Sequence, residues 1–594
     1  MTKANSLSRW LAAAMAALML LALLPARVWA AESTAYDTDG ATAFTFTDSA
    51  ITAKDGDYTG YDIDGTALTI EAAGTYIVSG SCQNGSITVK KGVTGVTLVL
   101  SGLTLTAGGT AAIACNKSSG VTIVAQDGTT NILSDTETNN DDNYPDNTDA
   151  ENAVIKCKDG SQVTLCGSGS LTVNANGKNG IKSGATTDEE GEAWLVIRDL
   201  TLTISAPVND AINAEASLTI LSGDLTIDAG DDAVHSDYYL TVGAAGTDGP
   251  TITVNSCYEG LEAADLSVAS GNIMIHASND CLNAANSDLT GYAFTLSISG
   301  GTLVMDTTSG DGIDSNGTLS ISGGTVVVWT NSTADNQPLD ADGAISITGG
   351  TVLAAGGSAG MGITLSSDSQ PYVMFGSTGM GGMGGGQPGS MGGKPGGTTP
   401  PEKPDDSDDS TTPPQLPSGS DSSSDSRPTP PSGSDGSQPT PPDGSGGATP
   451  PELPDGQTAP DGSSGSQPGG QFPGQTDGQS VSISQGSTFT IQSSDGTAVY
   501  TGEAVYDARF VFFSSAAMTS GETYTLTSGG TELATATAGG TGTAAVTTPD
   551  TSADTADTPQ TSDSHTALYI ALGAVAVLGA AAVVVVVLRK QKKA

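Results

Sequence analysis

A short phrase of small, acidic and apolar residues recurs through the middle of the chain. Its clearest copies are KNGIKS, NDAINA, DDAVHS, YEGLEA, NDCLNA and GDGIDS, which align on the anchors Ile181, Ile212, Val234, Leu261, Leu282 and Ile313. Weaker copies place Ile113, Ile155, Leu339 and Ile363 in the same position. From Ile155 to Ile363 successive anchors lie 21 to 31 residues apart. Such a spacing is typical of solenoid coils that carry loop insertions.

Each repeat also contains further short β-like runs, such as LTVNA from Leu171, LTIDA from Leu225 and VVVWT from Val326. No segment of the repeat shows the periodicity of an amphipathic helix. Three short strands per repeat predict an all-β protein, a single-stranded parallel β-helix, whereas a propeller blade would need about twice the length. We expect about ten coils over residues 110–376, preceded by cap strands within 31–105.

The charge of the chain limits the classes of partner that it can bind. The formal net charge is −45 and only 20 residues are basic. Nucleic acid and anionic membrane surfaces are therefore poor partners, and divalent cations are better ones.

Carboxylates occupy one column of the repeat, two residues before the anchor, and acids and amides recur one residue after it. Acids on adjacent coils, about 4.8 Å apart, repel one another, and oxygen ligands of this kind suit calcium. We therefore predict calcium along this column, with local turn hydrogen bonds as the alternative role for each acid. The predicted metal ligands are Asp210, Asp232, Glu259, Glu262, Asp280, Asp311 and Asp314. The acidic loop Asp135–Glu151, with Asp141, Asp142, Asp146 and Asp149, is a second candidate.

The two ends of the chain predict export and anchoring. Residues 1–30 have the basic start, apolar run and small-residue cleavage site of a secretory signal peptide. Residues 567–588 are apolar or small and long enough to cross a bilayer once, and the basic tail 589–594 should stay inside the cell. The body is then expected on the extracellular face of the cell envelope. Thr558–Asp563 resembles a cell-wall sorting signal only in part, so attachment by a sortase and a plain single-pass anchor both stay open.

The segments between the repeat and the span differ in composition. Residues 377–478 pass from Gly-Met repeats to Pro, Ser, Gly and Asp, and we expect them to be disordered. Residues 479–536 return to strand patterning and are expected to close the β-helix, with an independent small β-domain as the alternative. Residues 537–566 are a Thr/Ala/Asp-rich spacer.

Six cysteines remain after removal of the signal peptide. Cys115 and Cys157 both lie two residues after an anchor, so they are expected to stack on neighbouring coils. Buried free thiols are the favoured interpretation, because cysteine commonly serves as a small core residue.

The recurrent Asn-Asp-Ala-Ile and Asp-Gly-Ile phrases resemble those of a secreted bacterial family of carbohydrate-binding domains. The opening Gly74-Thr-Tyr-Ile-Val-Ser-Gly and the closing segments Phe512–Ser515 and Gly521–Leu526 extend the resemblance. It covers about 42–376 and 479–530. It implies a right-handed parallel β-helix like that of polysaccharide lyases, bound calcium, and recognition of cellulose or acidic pectin-type glycans. The long stretch that interrupts the closing segment departs from the family pattern.

Because lyases share this fold, an enzyme is a serious alternative. Between residues 160 and 376 the only Lys or Arg residues able to serve as a strong base are Lys178, Lys182 and Arg198, and His235 and His276 stand alone. We expect a polysaccharide-binding protein without catalytic residues, acting as a monomer, with a structural adhesin or stalk as a further alternative. Among the aromatic residues of the coils, Tyr238, Tyr239 and Tyr258 are the predicted sugar contacts.

Overall fold

The computed structural model describes residue 38 and residues 40–54, 60–331, 336–357, 363–376 and 481–539. The predicted signal peptide, the segment 377–478, the span 567–588 and the basic tail lie outside these residues, as does most of the spacer. Within the described part of the chain, no helix has the length and apolar character needed to cross a membrane.

The described residues form β-strands and no α-helix. In chain order the strands are β1 (Thr42–Phe46), β2 (Ile51–Lys54), β3 (Tyr61–Asp64), β4 (Ala67–Ile70), β5 (Gly74–Cys82), β6 (Ser86–Val89), β7 (Val96–Thr106), β8 (Ile113–Cys115), β9 (Gly120–Ala125), β10 (Thr130–Ser134), β11 (Ala153–Cys157), β12 (Gln162–Cys166), β13 (Ser170–Asn174), β14 (Asn179–Ser183), β15 (Trp194–Ile197), β16 (Thr201–Ala206), β17 (Ile212–Ala214), β18 (Ser217–Ile220), β19 (Asp224–Ala229), β20 (Val234–Val242), β21 (Thr251–Cys257), β22 (Leu261–Val268), β23 (Asn272–Ala277), β24 (Leu282–Ala284), β25 (Thr295–Ile298), β26 (Thr302–Thr307), β27 (Ile313–Ser315), β28 (Thr318–Ile321), β29 (Thr325–Thr330), β30 (Ile345–Ile347), β31 (Thr351–Gly356), β32 (Tyr372–Gly376), β33 (Thr488–Ser493), β34 (Ala498–Glu503), β35 (Phe510–Ser515), β36 (Thr523–Ser528) and β37 (Thr531–Thr537).

Each coil visits three parallel faces in a fixed order. The anchor face holds the short strands with the apolar anchors, such as β11, β14 and β17. The hydroxyl face follows, with β12, β15 and β18 in register. The third face completes the coil, with β13, β16 and β19. Three parallel faces around one apolar interior make a β-solenoid.

The predicted stacking of the anchors is confirmed. Ile212 pairs with Val234, Val234 with Leu261, and Leu261 with Leu282, and all four are fully buried. Gly260, one residue before the anchor Leu261, has no room for a side chain, because a Cβ there would lie 2.2 Å from the Cys281 carbonyl oxygen on the next coil.

The coils begin earlier than the sequence repeat suggested. Leu68 of β4 pairs with Ile87 of β6, which pairs with Ile113, so part of the segment 31–105 that we assigned to cap strands already forms coils. Residues Thr66 and Gly85 precede these two anchors where later coils carry acids. These coils also differ two residues after the anchor, where Ile70 and Val89 replace the small residue of the later coils, so little of the phrase remains.

The C-terminal described segment covers the last coils. β35 lies between β31 and β32 and runs antiparallel to both. Strands β34, β33, β36 and β37 form a separate antiparallel sheet in that order. A single apolar cluster joins this sheet to the third face, through Phe489 and Tyr524 on one side and Trp329 and Leu353 on the other. The edge of the last coil is therefore paired and covered, which removes a surface prone to aggregation.

The outer side of the third face changes along the solenoid. Thr172, Thr203, Thr226 and Thr253 form an in-register column on the earlier coils. The same column continues as Met274, Val304, Val327 and Leu353, which pack against the C-terminal sheet. The covered coils thus have apolar outer residues, and the coils before them have hydroxyls.

All six cysteines are buried and carry free thiols. Cys115 and Cys157 are register partners on neighbouring coils, as predicted. Burial and the adjoining thiol of Cys157 raise the pKa of Cys115 well above its usual value, because a thiolate would be desolvated beside a second sulfur.

Candidate metal site at the acid corner

The anchor ladder brings the predicted acids together. Asp210, Asp232, Glu259, Asp280 and Asp311 each lie two residues before an anchor, so the stacking of the anchors stacks them too, at about 4.8 Å per coil. The first four are only 1%, 2%, 5% and 8% exposed, and Asp311 is half-buried. This column therefore lies inside the surface of the solenoid and not on it.

The column one residue after the anchor faces the same region. Asn213, His235, Glu262, Asn283 and Asp314 pair in register from coil to coil. Hydrogen bonds join the two columns: Asn213 Nδ2 donates to Asp210 Oδ2 at 2.7 Å, and Asn283 Nδ2 donates to Glu259 Oε2 at 2.9 Å. We call these two columns together the acid corner.

Several acids of the corner also serve as turn residues. Asp210 Oδ1 accepts the backbone N–H of Asp232 at 3.1 Å, and Asp280 Oδ1 accepts that of Asp311 at 2.7 Å. Asp311 Oδ1 accepts the N–H of Gln337 in the same way. Each carboxylate thus holds the corner of the following coil, so the turn role that the sequence left open is present.

His235 places a positive charge within the corner. Its Nδ1 lies 3.2 Å from Asp232 Oδ2 and 3.0 Å from Glu262 Oε2, and its Nε2 lies 3.0 Å from Asp237 Oδ1. Burial alone would lower the pKa of His235, but the hydrogen bonds to these three carboxylates outweigh it and raise the pKa well above 6.5. An imidazolium therefore balances part of the negative charge.

The later coils lack such a cation. Burial, with the neighbouring Glu259, raises the pKa of Asp280 to about 8. Burial and Asp314 raise the pKa of Asp311 to about 7, against hydrogen bonding from Gln337, and burial and Asp340 raise that of Asp314 to about 6. At neutral pH Asp280 would therefore hold a proton and Asp311 would be partly protonated, unless a bound cation displaced the protons.

Three groups of side chains in the described residues have ligand atoms within 4.8 Å of one another and could hold a metal ion. They are Asp210–Asp231–Asp232, Asp232–His235–Glu262 and Asp311–Asp314–Asp340. Five of the seven predicted ligands belong to these groups, and Glu259 and Asp280 do not. Asp231, His235 and Asp340 were not among the ligands predicted from the sequence. Asp340 follows the weak anchor Leu339 directly, so extending the column one residue after the anchor by one coil would have found it.

The two oxygen-only groups fit a hard cation better than the group with histidine does, because calcium takes oxygen ligands. One more buried oxygen atom could serve as a metal ligand. Asn283 Oδ1 has no hydrogen-bond partner among the described residues. It lies on the coil before Asp314, its register partner.

The acidic loop Asp135–Glu151 is organised differently from the corner. Asn139 donates to Asp135 at 2.8 Å, and Asn152 donates to Asp141 at 2.7 Å. Lys178 pairs with Asp142 at 2.8 Å, and Lys158 pairs with Glu151 at 2.6 Å. These acids therefore already accept hydrogen bonds from amide or ammonium groups, and none of them belongs to the three metal-capable groups.

The predicted sugar contacts do not share one surface. Tyr238 and Tyr239 are 38% and 52% exposed and follow the corner onto the hydroxyl face. Tyr258 is half-buried, and its N–H donates to the Asp231 carbonyl at 2.8 Å, which places it beside the acid corner.

A family model for carbohydrate-binding domain-containing proteins matches residues 64–360. The chain belongs to this family. The matched region spans the acid corner, the three metal-capable groups and the exposed tyrosines, while the C-terminal covering sheet lies beyond it. The family resemblance predicted from the repeated phrase is confirmed.

One solved structure is also similar, described as the polysaccharide lyase-like protein from C. thermocellum in a gadolinium derivative. The identity is 24% and the TM-score 0.33, and the similarity covers 47% of this chain and 96% of that one. No curated protein sequence matches the chain significantly.

Proposed function

We propose that this protein binds polysaccharide at the extracellular face of the cell envelope and uses calcium to stabilise its solenoid. The observation that carries the proposal is the match to a carbohydrate-binding family across residues 64–360, the region that forms the coils. The glycans we expect are cellulose or an acidic pectin-type polymer from plant cell walls, or a similar polysaccharide.

The calcium part of the proposal rests on the oxygen-only groups of the acid corner. Asp311, Asp314 and Asp340 are half-buried, and Asp210, Asp231 and Asp232 are fully buried. An ion there would neutralise acids that otherwise repel one another on adjacent coils. At the buried group it would support the fold without touching a glycan.

Binding without catalysis is the further part of the proposal. The three basic residues between 160 and 376 are each paired with a carboxylate: Lys178 with Asp142, Lys182 with Glu215 and Arg198 with Asp199. Anchoring rests on the sequence alone, on the signal peptide 1–30 and the span 567–588. We expect a monomer.

The test is a pull-down of the purified protein on insoluble cellulose and on pectin, with calcium and with chelator, alongside an assay for released unsaturated and reducing sugars. We expect retention on at least one polymer with calcium and no sugar release. Retention on neither polymer would contradict the binding proposal, and release of sugar would show an enzyme.

A further inference from the structure

An uninterrupted column of small outer residues runs along the hydroxyl face. From Thr97 to Ser346 each member is the register partner of the next, about 4.8 Å away. The members are Thr97, Thr122, Thr164, Val196, Thr219, Thr241, Ser267, Ser297, Ser320 and Ser346. All but Val196 carry a hydroxyl, and Thr164 and Val196 are buried. From Thr219 to Ser346 the face therefore offers a row of uncharged groups that both donate and accept hydrogen bonds.

Aromatic side chains border this row on one side. Trp194 begins β15, and Tyr239 occupies the equivalent position two coils later, with Ser217 on the coil between them. Two coil steps correspond to about 9.6 Å. Trp194 is half-buried, and Tyr238, Tyr239 and Val208 are the exposed large apolar residues of the described chain.

The tyrosines form one patch held by neighbouring contacts. The ring centroid of Tyr238 lies 6.2 Å from that of Tyr239 and 6.5 Å from that of Tyr292. Tyr292 packs in turn on Phe294 at 5.4 Å, and its hydroxyl donates to Asp265 Oδ2 at 2.6 Å. Rings fixed in this way lose little conformational freedom when a ligand binds.

The charge around the face selects the kind of glycan. No lysine or arginine occurs between residues 199 and 393, and Arg198 is already paired with Asp199 at 2.8 Å. Asp237 and Asp265 lie beside the tyrosines. A uronate polymer would therefore meet acids and no free cation, whereas a neutral pyranose offers an apolar ring face for stacking and hydroxyls for the row.

We propose that the hydroxyl face between Trp194 and the patch Tyr238–Tyr239–Tyr292 is the binding surface for an extended neutral β-linked polysaccharide. In a β-1,4-linked chain alternate sugars present the same ring face, so Trp194 and Tyr239, on alternate coils, contact equivalent sugars. Thr219, on the coil between the two aromatic positions, and Thr241, on the coil of Tyr239, lie in the row beside them and bond the hydroxyls of the glycan. This inference rests on the proposed polysaccharide binding and adds its location and its preference for uncharged chains.

The experiment compares binding of the full-length protein in calcium buffer to two soluble polymers, hydroxyethylcellulose and polygalacturonate. We expect the unmodified protein to prefer hydroxyethylcellulose. Trp194→Ala with Tyr239→Ala should weaken that binding at least about tenfold, because aromatic contacts dominate such interfaces. Trp194→Phe with Tyr239→Phe keeps both ring platforms and should retain most of the affinity.

A second pair of variants leaves the rings in place. Thr219→Glu with Thr241→Glu puts charge into the row and should abolish binding, while Thr203→Glu with Thr226→Glu makes the same change on the third face and should not. Melting curves identify any variant that fails to fold. If either the Trp194/Tyr239 alanine variant or the Thr219/Thr241 glutamate variant does not fold, the other one tests the proposed surface.

The outcomes separate this inference from the general function. Binding of hydroxyethylcellulose that survives both the alanine and the Thr219/Thr241 variants would overturn the surface and leave polysaccharide binding intact. A preference for polygalacturonate would overturn the neutral-glycan assignment. Binding to neither of these polymers nor to the insoluble ones would remove the proposed function and this inference together.

Discussion

The acid corner and the hydroxyl face lie on the same coils and are both built from in-register polar columns, yet their side chains are used in different ways. Corner acids are buried and bond to amides, to an imidazole and to backbone N–H groups of the next coil. On the hydroxyl face the column from Thr97 to Ser346 is uncharged, and most of its members are half-buried or exposed.

The difference arises because stacking brings equal side chains close together, which is unfavourable when they are charged. Equal charges about 4.8 Å apart repel by roughly 3 kcal/mol at an effective dielectric constant of 20, so a column of acids needs donors or cations at every step. A column of hydroxyls carries no such penalty and can face solvent or a ligand. In a solenoid, a repeated acid therefore indicates internal structure, and a repeated hydroxyl leaves a surface available.

The strongest test of this contrast removes one member of each column. Asp232→Ala takes a carboxylate from His235 in a buried site, and we expect a loss of about 3–5 kcal/mol in the free energy of unfolding. Thr241→Ala on the same coil should cost less than about 1 kcal/mol. Denaturant titration of the purified protein measures both. Comparable losses would mean that the corner is no more structural than the face.

The sequence predicted the main axis of the fold because each anchor is an apolar residue at a fixed place in a recurring phrase. It did not predict where the coils begin, since Leu68 and Ile87 lack both the acid before the anchor and the small residue after it. Nor did it predict that β35 would lie antiparallel between β31 and β32, because strand direction depends on contacts between segments far apart in sequence.

At the site, alignment of the phrase predicted which acids share a column, because the register of the strands fixes those positions. It did not predict their burial or the position of His235 among three carboxylates, since both depend on how the corner packs. Alignment could have separated Tyr258 from Tyr238, because Tyr258 lies three residues before the anchor Leu261 and Tyr238 lies four after Val234. Tyr258 lies at the acid corner and not on the hydroxyl face.

The next test concerns calcium. An ion that binds only the folded protein adds RT ln(1 + [L]/Kd) to its stability, about 2.7 kcal/mol at a hundred times Kd. We expect chelator to lower the melting temperature by several degrees, and Asp311→Asn with Asp314→Asn to reduce that response, since the group Asp210–Asp231–Asp232 remains. Asp288→Asn, an exposed acid away from the corner, is the control. If chelator did not change the melting curve, the corner acids would serve only as turn residues that hydrogen-bond to the backbone.

The free energy of unfolding, measured over a range of pH in the presence of chelator, tests the protonation of the same corner. The pKa of Asp280 is raised to about 8, whereas an unfolded aspartate has a pKa near 3.9. Asp280 therefore binds its proton more tightly in the folded state than in the unfolded state. The stability that this adds is fully present below about pH 4 and is lost as the pH rises through 8. We expect a slope of up to about 1.4 kcal/mol per pH unit across this window.

Asp280→Asn should flatten that slope, because the amide cannot titrate, while Ser320→Ala on the hydroxyl face should leave it unchanged. Saturating calcium should also reduce the slope in the unmodified protein. An identical slope in the Asn variant would assign the titration to other groups of the corner.

The smallest expected effect lies on the hydroxyl face itself. Ser267 and Ser297 are register partners whose Oγ atoms lie 2.9 Å apart, so one hydroxyl donates to the other across neighbouring coils. Ser267→Ala removes this hydrogen bond and should cost about 0.5–1 kcal/mol, because water partly replaces it at a half-buried position. Ser320→Ala, at an exposed position of the same column, should cost less than about 0.5 kcal/mol. If the Ser267 variant lost as much stability as Asp232→Ala, the hydroxyl column would be part of the structural frame, and the distinction between the corner and the face would fail.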